Sequence, residues 1–309
     1  MDLSLACVYN LYLRYFFNMP DSPSQEKTTA IRILSFDIEE WFMLEDTRLI
    51  PPDEWKLFMP RLDYNTRKVL DVLHRQDTKG VFYFLGWVAE HYPDLVKDVF
   101  AAGHEIGYHT YHHHNIDAFS PDAFELDLKN GLDLLENITG IRPVSFRAPN
   151  FSMHEGNLWA IPILIRNGIT INSSMRHLST AGKSNFPQKP FKWQCNGQEL
   201  WEFPLVPGRV GNLPLHFAGS GYFRLLPDVL IHYFTNAAPY CMFYFHPRDF
   251  DPVPQRSPKL SLIRNIKNSL NTKSALQRLD NLTTNFSFLS LHEAIFALDS
   301  TQQYSTHLL

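Results

Sequence analysis

The stretch Gly103–Asn115, GHEIGYHTYHHHN, governs how the rest of the chain is read. It concentrates histidines in a chain that has 14 of them. Glu105-Ile106-Gly107-Tyr108 is too short for a helix and reads as a brief strand. His109 and His113 follow, four apart, so one helical turn would put both imidazoles on one face. A strand that ends in a histidine pair suits a metal ion. It asks the flanking sequence for a carboxylate, a base, an acid and a frame.

On either side the chain alternates between apolar runs and amphipathic ones. The run 31–37 predicts a strand rich in β-branched and aromatic residues. After a loop at 46–62, residues 65–76 predict a helix with Val69, Leu70 and Leu73 on one face. Residues 80–85 read as a buried strand. A helix begins at Pro93, carries Leu95, Val96 and Val99, and ends at Gly103. Ser120 and Pro121 open the clearest helix. Its face is Phe124, Leu128, Leu132 and Leu135, and Gly140 stops it. Strands are expected at 144–147, 169–172, 200–204, 241–246 and 286–289. Helices are expected at 158–167, 222–236, 259–280 and 291–298. Residues 174–200 read as a polar excursion and 247–258 as a proline-rich loop. Such β-α alternation, about seven times over, means a parallel sheet in one domain. Alternation alone does not choose between a closed barrel and an open doubly wound sheet. At this length a barrel is expected, and no Gly-x-Gly-x-x-Gly follows the first strand to favour a dinucleotide fold.

Composition narrows the class. The chain has 309 residues, 44% hydrophobic and 19% charged, as in a soluble globular protein with a sizeable core. A formal net charge of −4 gives no overall field for nucleic acid or an anionic membrane. Cys7, Cys195 and Cys241 form no Cys-x-x-Cys pair and read as reduced thiols of a cytoplasmic protein. Residues 3–17 are apolar, but Asp2 precedes them and Arg14 interrupts them. They lack the features of a signal peptide and are too short to span a bilayer. Residues 1–30 are therefore read as an extension and linker, with no transmembrane segment expected.

In a parallel α/β barrel, function sits at the carboxyl ends of the strands. The polar residues falling there are Asp37, Glu39, His109, His113, Arg147, Asn172 and His246. Asp37 and Glu39, two apart on a strand, should face the same way. One carboxylate and two histidines are a ligand set for a catalytic zinc with an open position. Glu39, His109 and His113 are assigned as ligands, which leaves Asp37 as a base. Asp37 ends a hydrophobic strand, where a bare charge would be costly without a partner. Arg147 can supply that partner through paired hydrogen bonds. His246, at another strand end, is a candidate general acid. Trp41, Trp201 and Tyr222 lie near strand ends or in loops, where aromatics stack on sugar rings or join the core.

These residues resemble the polysaccharide deacetylase family, the NodB-homology group of carbohydrate esterases, over roughly residues 31–297. Ser35-Phe36-Asp37-Ile38-Glu39 looks like its first motif. His109-Thr110-Tyr111-His112-His113 matches its His-Ser/Thr-x-x-His motif, Arg147-Ala148-Pro149 is similar to its third, and His246 falls at its final catalytic histidine. Residues 218–227, AGSGYFRLLP, and 243–252, FYFHPRDFDP, resemble a bacterial branch acting in capsule, exopolysaccharide or envelope-glycan pathways.

The resemblance implies a distorted (β/α)7 barrel over residues 31–299, followed by a tail at 300–309. It further implies one divalent ion, zinc by preference, and removal of N-acetyl groups from a glycan or a lipid-linked sugar. A backbone N–H near Asn150 would face the oxyanion. Two departures stand out. Ile38 occupies the place of the family's second aspartate, so the ligand moves to Glu39. Asn172 stands where an aspartate usually supports the acid histidine. It can hydrogen-bond but brings no charge, so His246 either does without a charged partner or takes a carboxylate from elsewhere. A cyclic-amide hydrolase like allantoinase and a decayed glycan-binding module are the alternatives. The expected location is cytoplasmic, with peripheral membrane attachment as an option.

Overall fold

The apolar run at 31 forms β1 (Ile31–Ile38), in which every residue but Arg32 is buried, as a central parallel strand requires. A computed structural model of the chain describes residues 30–43, 50–57, 61–176, 186–210, 213–253 and 262–309. The expected N-terminal extension lies outside them except for Ala30, as do parts of the loops expected at 46–62, 174–200 and 247–258.

Around β1 the chain adds α1 (Leu62–Arg75), β2 (Val81–Phe84), α2 (Gly86–His91), α3 (Pro93–Ala101) and β3 (Glu105–Tyr108). Then come α4 (Pro121–Thr139), β4 (Ser145–Phe146), α5 (Ala160–Arg166), β5 (Ile171–Asn172), β6 (Phe191–Cys195) and β7 (Gln198–Glu202). A small ribbon of β8 (Gly208–Val210) and β9 (Leu213–Leu215) precedes α6 (Ser220–Leu225), α7 (Asp228–Ala237) and β10 (Tyr240–Phe245). The chain closes with α8 (Leu262–Ser269), α9 (Thr272–Asn285), α10 (Leu291–Thr301) and β11 (Thr306–Leu308).

The main sheet runs β10-β1-β2-β3-β4-β5-β7-β6-β11, parallel throughout except between β6 and β7. Alternation along the strands splits the core in two. Ile31, Ile33, Tyr83, Ile171, Phe203 and Met242 turn inward and meet Leu291, Ala294 and Leu298 of α10. Leu34, Phe36, Phe82 and Phe84 face outward to the helices. Among the described residues no ladder joins β10 to β7. Instead the Tyr240 hydroxyl donates to the Pro204 carbonyl at 2.8 Å. The result is a distorted α/β barrel, closed on that side by side chains. Its amino end is plugged by α10, whose first backbone amides, of Leu291 and His292, donate to the Glu105 carboxylate at 2.9 and 3.2 Å. A carboxylate at a helix N-terminus also meets the favourable end of the helix dipole.

Several expectations are corrected. The polar excursion contains β6, which pairs antiparallel with β7 through Asn196 (φ 51°) and Gly197 (φ 79°). Asn-Gly with two left-handed residues is the preferred tight hairpin turn. Residues 286–289 form no strand, because both neighbours of β1 are already taken by β10 and β2. The Leu289 amide still reaches β1, donating to the Arg32 carbonyl at 2.8 Å. Within the tail at 300–309, β11 pairs parallel with β6. The helix expected at 222–236 is two helices parted at Leu226-Pro227, where Leu226 is extended (ψ 146°) as residues before proline tend to be.

Candidate active site

β1 ends at Ile38 and the chain turns at once, the Glu39 amide donating to the Asp37 carbonyl at 3.1 Å. Asp37 thus reaches the site from the strand itself and Glu39 from the turn that follows it, rather than both by strand alternation. Glu39 Oε2 lies 2.6 Å from His113 Nε2 and 3.7 Å from His109 Nε2. The three side chains are buried, and their ligand atoms fall within 4.8 Å of one another. The histidine pair is not on a helix. Thr110 (φ 61°) and His113 (φ 60°) are left-handed, and they fold 109–113 into a loop that turns the second imidazole back toward the first.

His109 Nδ1 lies 2.7 Å from the Arg147 carbonyl. A carbonyl only accepts, so Nδ1 carries the hydrogen and Nε2 presents its lone pair toward Glu39. His113 Nδ1 is buried without a hydrogen-bond partner, and Glu39 Oε2 is buried beside the His113 and His109 imidazoles. Burial alone would raise the Glu39 carboxyl, but His113, Arg248 and His109 hold it well below the usual range, so it stands ready as an anionic ligand. A buried carboxylate and two imidazoles converging on one point fit a divalent cation of nitrogen and oxygen preference.

Arg147 leaves the two-residue strand β4 and is fully buried (0% exposed). Its Nη1 donates to Asp37 Oδ1 at 2.7 Å, Nη2 to Ser173 Oγ at 3.0 Å and Nε to the Ser173 carbonyl at 3.2 Å. The guanidinium also stacks 4.2 Å from the centre of the Tyr83 ring. A buried Asp–Arg pair is tolerable only when its remaining donors are satisfied, and here they are.

His246 follows β10. Its Nε2 lies 3.3 Å from Glu39 Oε1, and Arg248 Nη1 donates to that same oxygen at 2.9 Å. On the far side of the ring, Nδ1 meets Asp249 Oδ2 at 3.0 Å and Ser220 Oγ at 2.8 Å. The Ser220 hydroxyl can donate onward to the Tyr244 carbonyl at 3.3 Å, so both groups accept from one N–H. Asp249 Oδ2 also accepts from the His246 backbone amide at 2.8 Å, and Arg224 Nε lies 3.3 Å from Oδ1. Burial would raise this carboxyl too, but His246, Arg224 and Arg248 hold it below the ordinary aspartate range. Asp249 is therefore a charged partner of His246. Its signal was present in the sequence as an acid three residues after His246, the spacing of a reciprocal cap.

The remaining expected contacts divide. Asn172 does not face the site opening. It is fully buried, and its amide donates to Glu202, whose other oxygen takes the amides of Ser174 and Met175 at 3.0 Å. Burial pushes the Glu202 carboxyl up to about 7, against those hydrogen bonds. Trp201 is buried in the inner core against Phe203, Tyr304 and the Lys192 ammonium, and Trp41 is buried against Phe42, so neither ring is open to a sugar. Both lie near strand ends, but strand position does not reveal which face is covered. Asn150 (φ 56°) is exposed, with Nδ2 donating to Asn115 Oδ1 at 2.8 Å. Tyr222 is exposed on α6, two residues beyond Ser220.

Comparison with known proteins bears on the family and the fold. The family model described as "Polysaccharide deacetylase" matches residues 58–161, and a domain of unknown function (DUF3473) matches residues 172–296. A peptidoglycan-N-acetylglucosamine deacetylase of Bacillus cereus is 34% identical over 102 residues, 33% of this chain and 37% of that protein. The chain spans about a third of the length of the first curated relatives it matches. A chitooligosaccharide deacetylase of Azorhizobium caulinodans is 31% identical over 165 residues, 53% of this chain and 67% of that one. In fold, the chain is similar to a crystal structure of a candidate polysaccharide deacetylase from Mycobacterium smegmatis. The TM-score is 0.61 at 16% identity, covering 94% of this chain and 98% of that one. With its first-motif carboxylates, histidine pair, buried arginine and late histidine around one point, the chain belongs to the polysaccharide deacetylase family.

Proposed function

We propose that this protein is a metal-dependent hydrolase that removes acetyl groups from an N-acetylated sugar in a polysaccharide or glycan precursor. The observation that carries the reading is the convergence of Glu39, His109 and His113 within 4.8 Å of one another, with the Asp37–Arg147 pair and His246 around them. A divalent ion, zinc by its ligand chemistry, would be held by Glu39, His109 and His113 and would supply Lewis acidity and an acidified water.

The protein's own groups do the rest. Asp37 accepts the proton of the attacking water, and Arg147 keeps its carboxylate aimed. His246 gives a proton from Nε2 to the departing amine, while Asp249 and Ser220 hold Nδ1 and fix the ring. Asn150 and Tyr222, exposed on loop and helix, are assigned to the glycan. The motifs at 218–227 and 243–252 support a substrate from a capsule, exopolysaccharide or envelope-glycan pathway, carried as polymer or on a lipid. Glu39 in the ligand position and Asp249 beside His246 support an enzyme over a decayed binding module.

The test is acetate release across N-acetylated glycans and lipid-linked sugars, with and without chelator. Asp37→Asn is expected to keep its metal and lose turnover. Wild-type acetate release by that variant would exclude the base assignment, and ring opening of a cyclic amide without acetate release would favour the allantoinase-like reading.

A further inference from the structure

Away from the site, the sequence from Pro252 to Leu279 carries Arg256, Lys259, Arg264, Lys267, Lys273 and Arg278 and no aspartate or glutamate, although the whole chain is net −4. Within this stretch α8 presents Leu262 and Ile266 at 75% and 52% exposure, and Leu270 just beyond it is 41% exposed. Spaced four apart, these side chains follow one side of a helix. The junction of α8 and α9 is tied to the site. Arg224 of α6 donates to the Leu270 carbonyl at 2.7 Å, and Asn271 Nδ2 donates to the Arg224 carbonyl at 2.8 Å. The same α6 begins with Ser220, which holds His246, and leaves Tyr222 and Leu225 exposed. Arg278 is paired with Asp228 of α7.

We propose that α8 and the start of α9 form a docking face for an anionic membrane surface, beside the mouth of the site. Large exposed apolar side chains in a stretch whose charged residues are all cationic ask for a partner with both an apolar layer and negative charge. A bilayer surface containing anionic lipid offers both at the depth an in-plane helix reaches. A soluble acidic polysaccharide would answer the cations and leave Leu262, Ile266 and Leu270 in water. A second protein copy would need roughly 800 Å² per partner, more than an eight-residue helix presents. The face does not depend on the reaction proposed above. If that reaction holds, docking brings lipid-carried glycan to the site.

The test is sedimentation of the full chain with vesicles of phosphatidylcholine alone and of phosphatidylcholine with phosphatidylglycerol, at low and high salt. The expected result is binding to the anionic vesicles that weakens with salt and falls about tenfold or more in Leu262→Ser/Ile266→Ser and in Arg264→Glu/Lys267→Glu. Phe296→Ser, which removes a 78% exposed ring on α10, should bind like the wild type. The leucine–isoleucine variant should hydrolyse a soluble N-acetylated oligosaccharide, if the wild type does, at the wild-type rate. Equal vesicle binding by wild type and both double variants would overturn the proposal, as would no binding to either vesicle. So would self-association that the apolar variant abolishes, or binding to a soluble acidic polysaccharide that matches vesicle binding and ignores the apolar variant.

Discussion

Replacing Asp249 by Asn tests whether His246 depends on a carboxylate that the family's usual motif does not supply. The carboxylate is buried and does three things. It accepts from the imidazole Nδ1 at 3.0 Å, accepts from the His246 amide at 2.8 Å, and faces Arg224 at 3.3 Å. Asparagine has the same shape, and its oxygen can still take the backbone amide, so the turn after β10 is kept. The charge on the ring's partner is lost. A hydrogen bond to a charged group is worth about 1.5–3 kcal/mol, and about 1.4 kcal/mol is tenfold in rate. The expected outcome is a fall in kcat of about 10- to 100-fold with KM nearly unchanged, because the acid acts as the amine departs rather than on binding. The assay is acetate release on preparations whose metal content and circular dichroism are measured alongside. Wild-type kcat in a folded, metal-loaded Asp249→Asn protein would refute the reasoning. A loss of metal in step with activity would do so too, by moving Asp249 into the ligand shell. Asp249→Ala also removes the cap on the His246 amide and is expected to cost a further ~1 kcal/mol of stability in denaturant titration.

Further outcomes follow from the same network. Glu39→Gln or His109→Ala removes one of three clustered ligands and should weaken divalent-ion binding, measured by chelator competition, by more than about the 100-fold that loss of an outer partner brings; unchanged affinity would dissolve the centre. Glu202, with its folded carboxyl near 7 and an unfolded value near 4.3, binds more protons folded than unfolded between those limits, so its contribution to stability, about 4 kcal/mol in full, declines as pH rises through that window. Glu202→Gln should flatten that part of the pH dependence of the urea midpoint, and an unaltered slope would contradict the assignment. Asn172→Asp, which restores the family's usual residue, would set a second buried carboxylate against Glu202; it should lower stability by about 2 kcal/mol or more, and a more stable or faster variant would show the opposite.

Much of this was legible in the sequence, because burial and polarity leave marks there. An apolar run that ends in Asp37, in His109 or in His246 is a strand whose last residue leaves the core at the functional end of a barrel. What sequence periodicity could not supply was loop conformation. The left-handed backbone at Thr110 and His113, which brings the histidine pair together, has no helical period behind it. The reach of Asp249 back to His246 depends on a tight turn through Pro247 and Arg248. Asn172, Trp41 and Trp201 were misplaced for a related reason: nearness to a strand end does not say whether a later segment covers the side chain. The hairpin of β6 and β7 was different, since Asn196-Gly197 advertised it and the polar surroundings hid the signal.

The residue just after a two-residue strand ties two halves of the site together. The Arg147 carbonyl steadies the imidazole of His109, and its guanidinium grips Asp37. A metal-side ring and a proton-abstracting group are thereby referenced to the same peptide unit. Displacing Arg147 would therefore disturb both groups at once, so the His109 ring and the Asp37 carboxylate share a single point of failure.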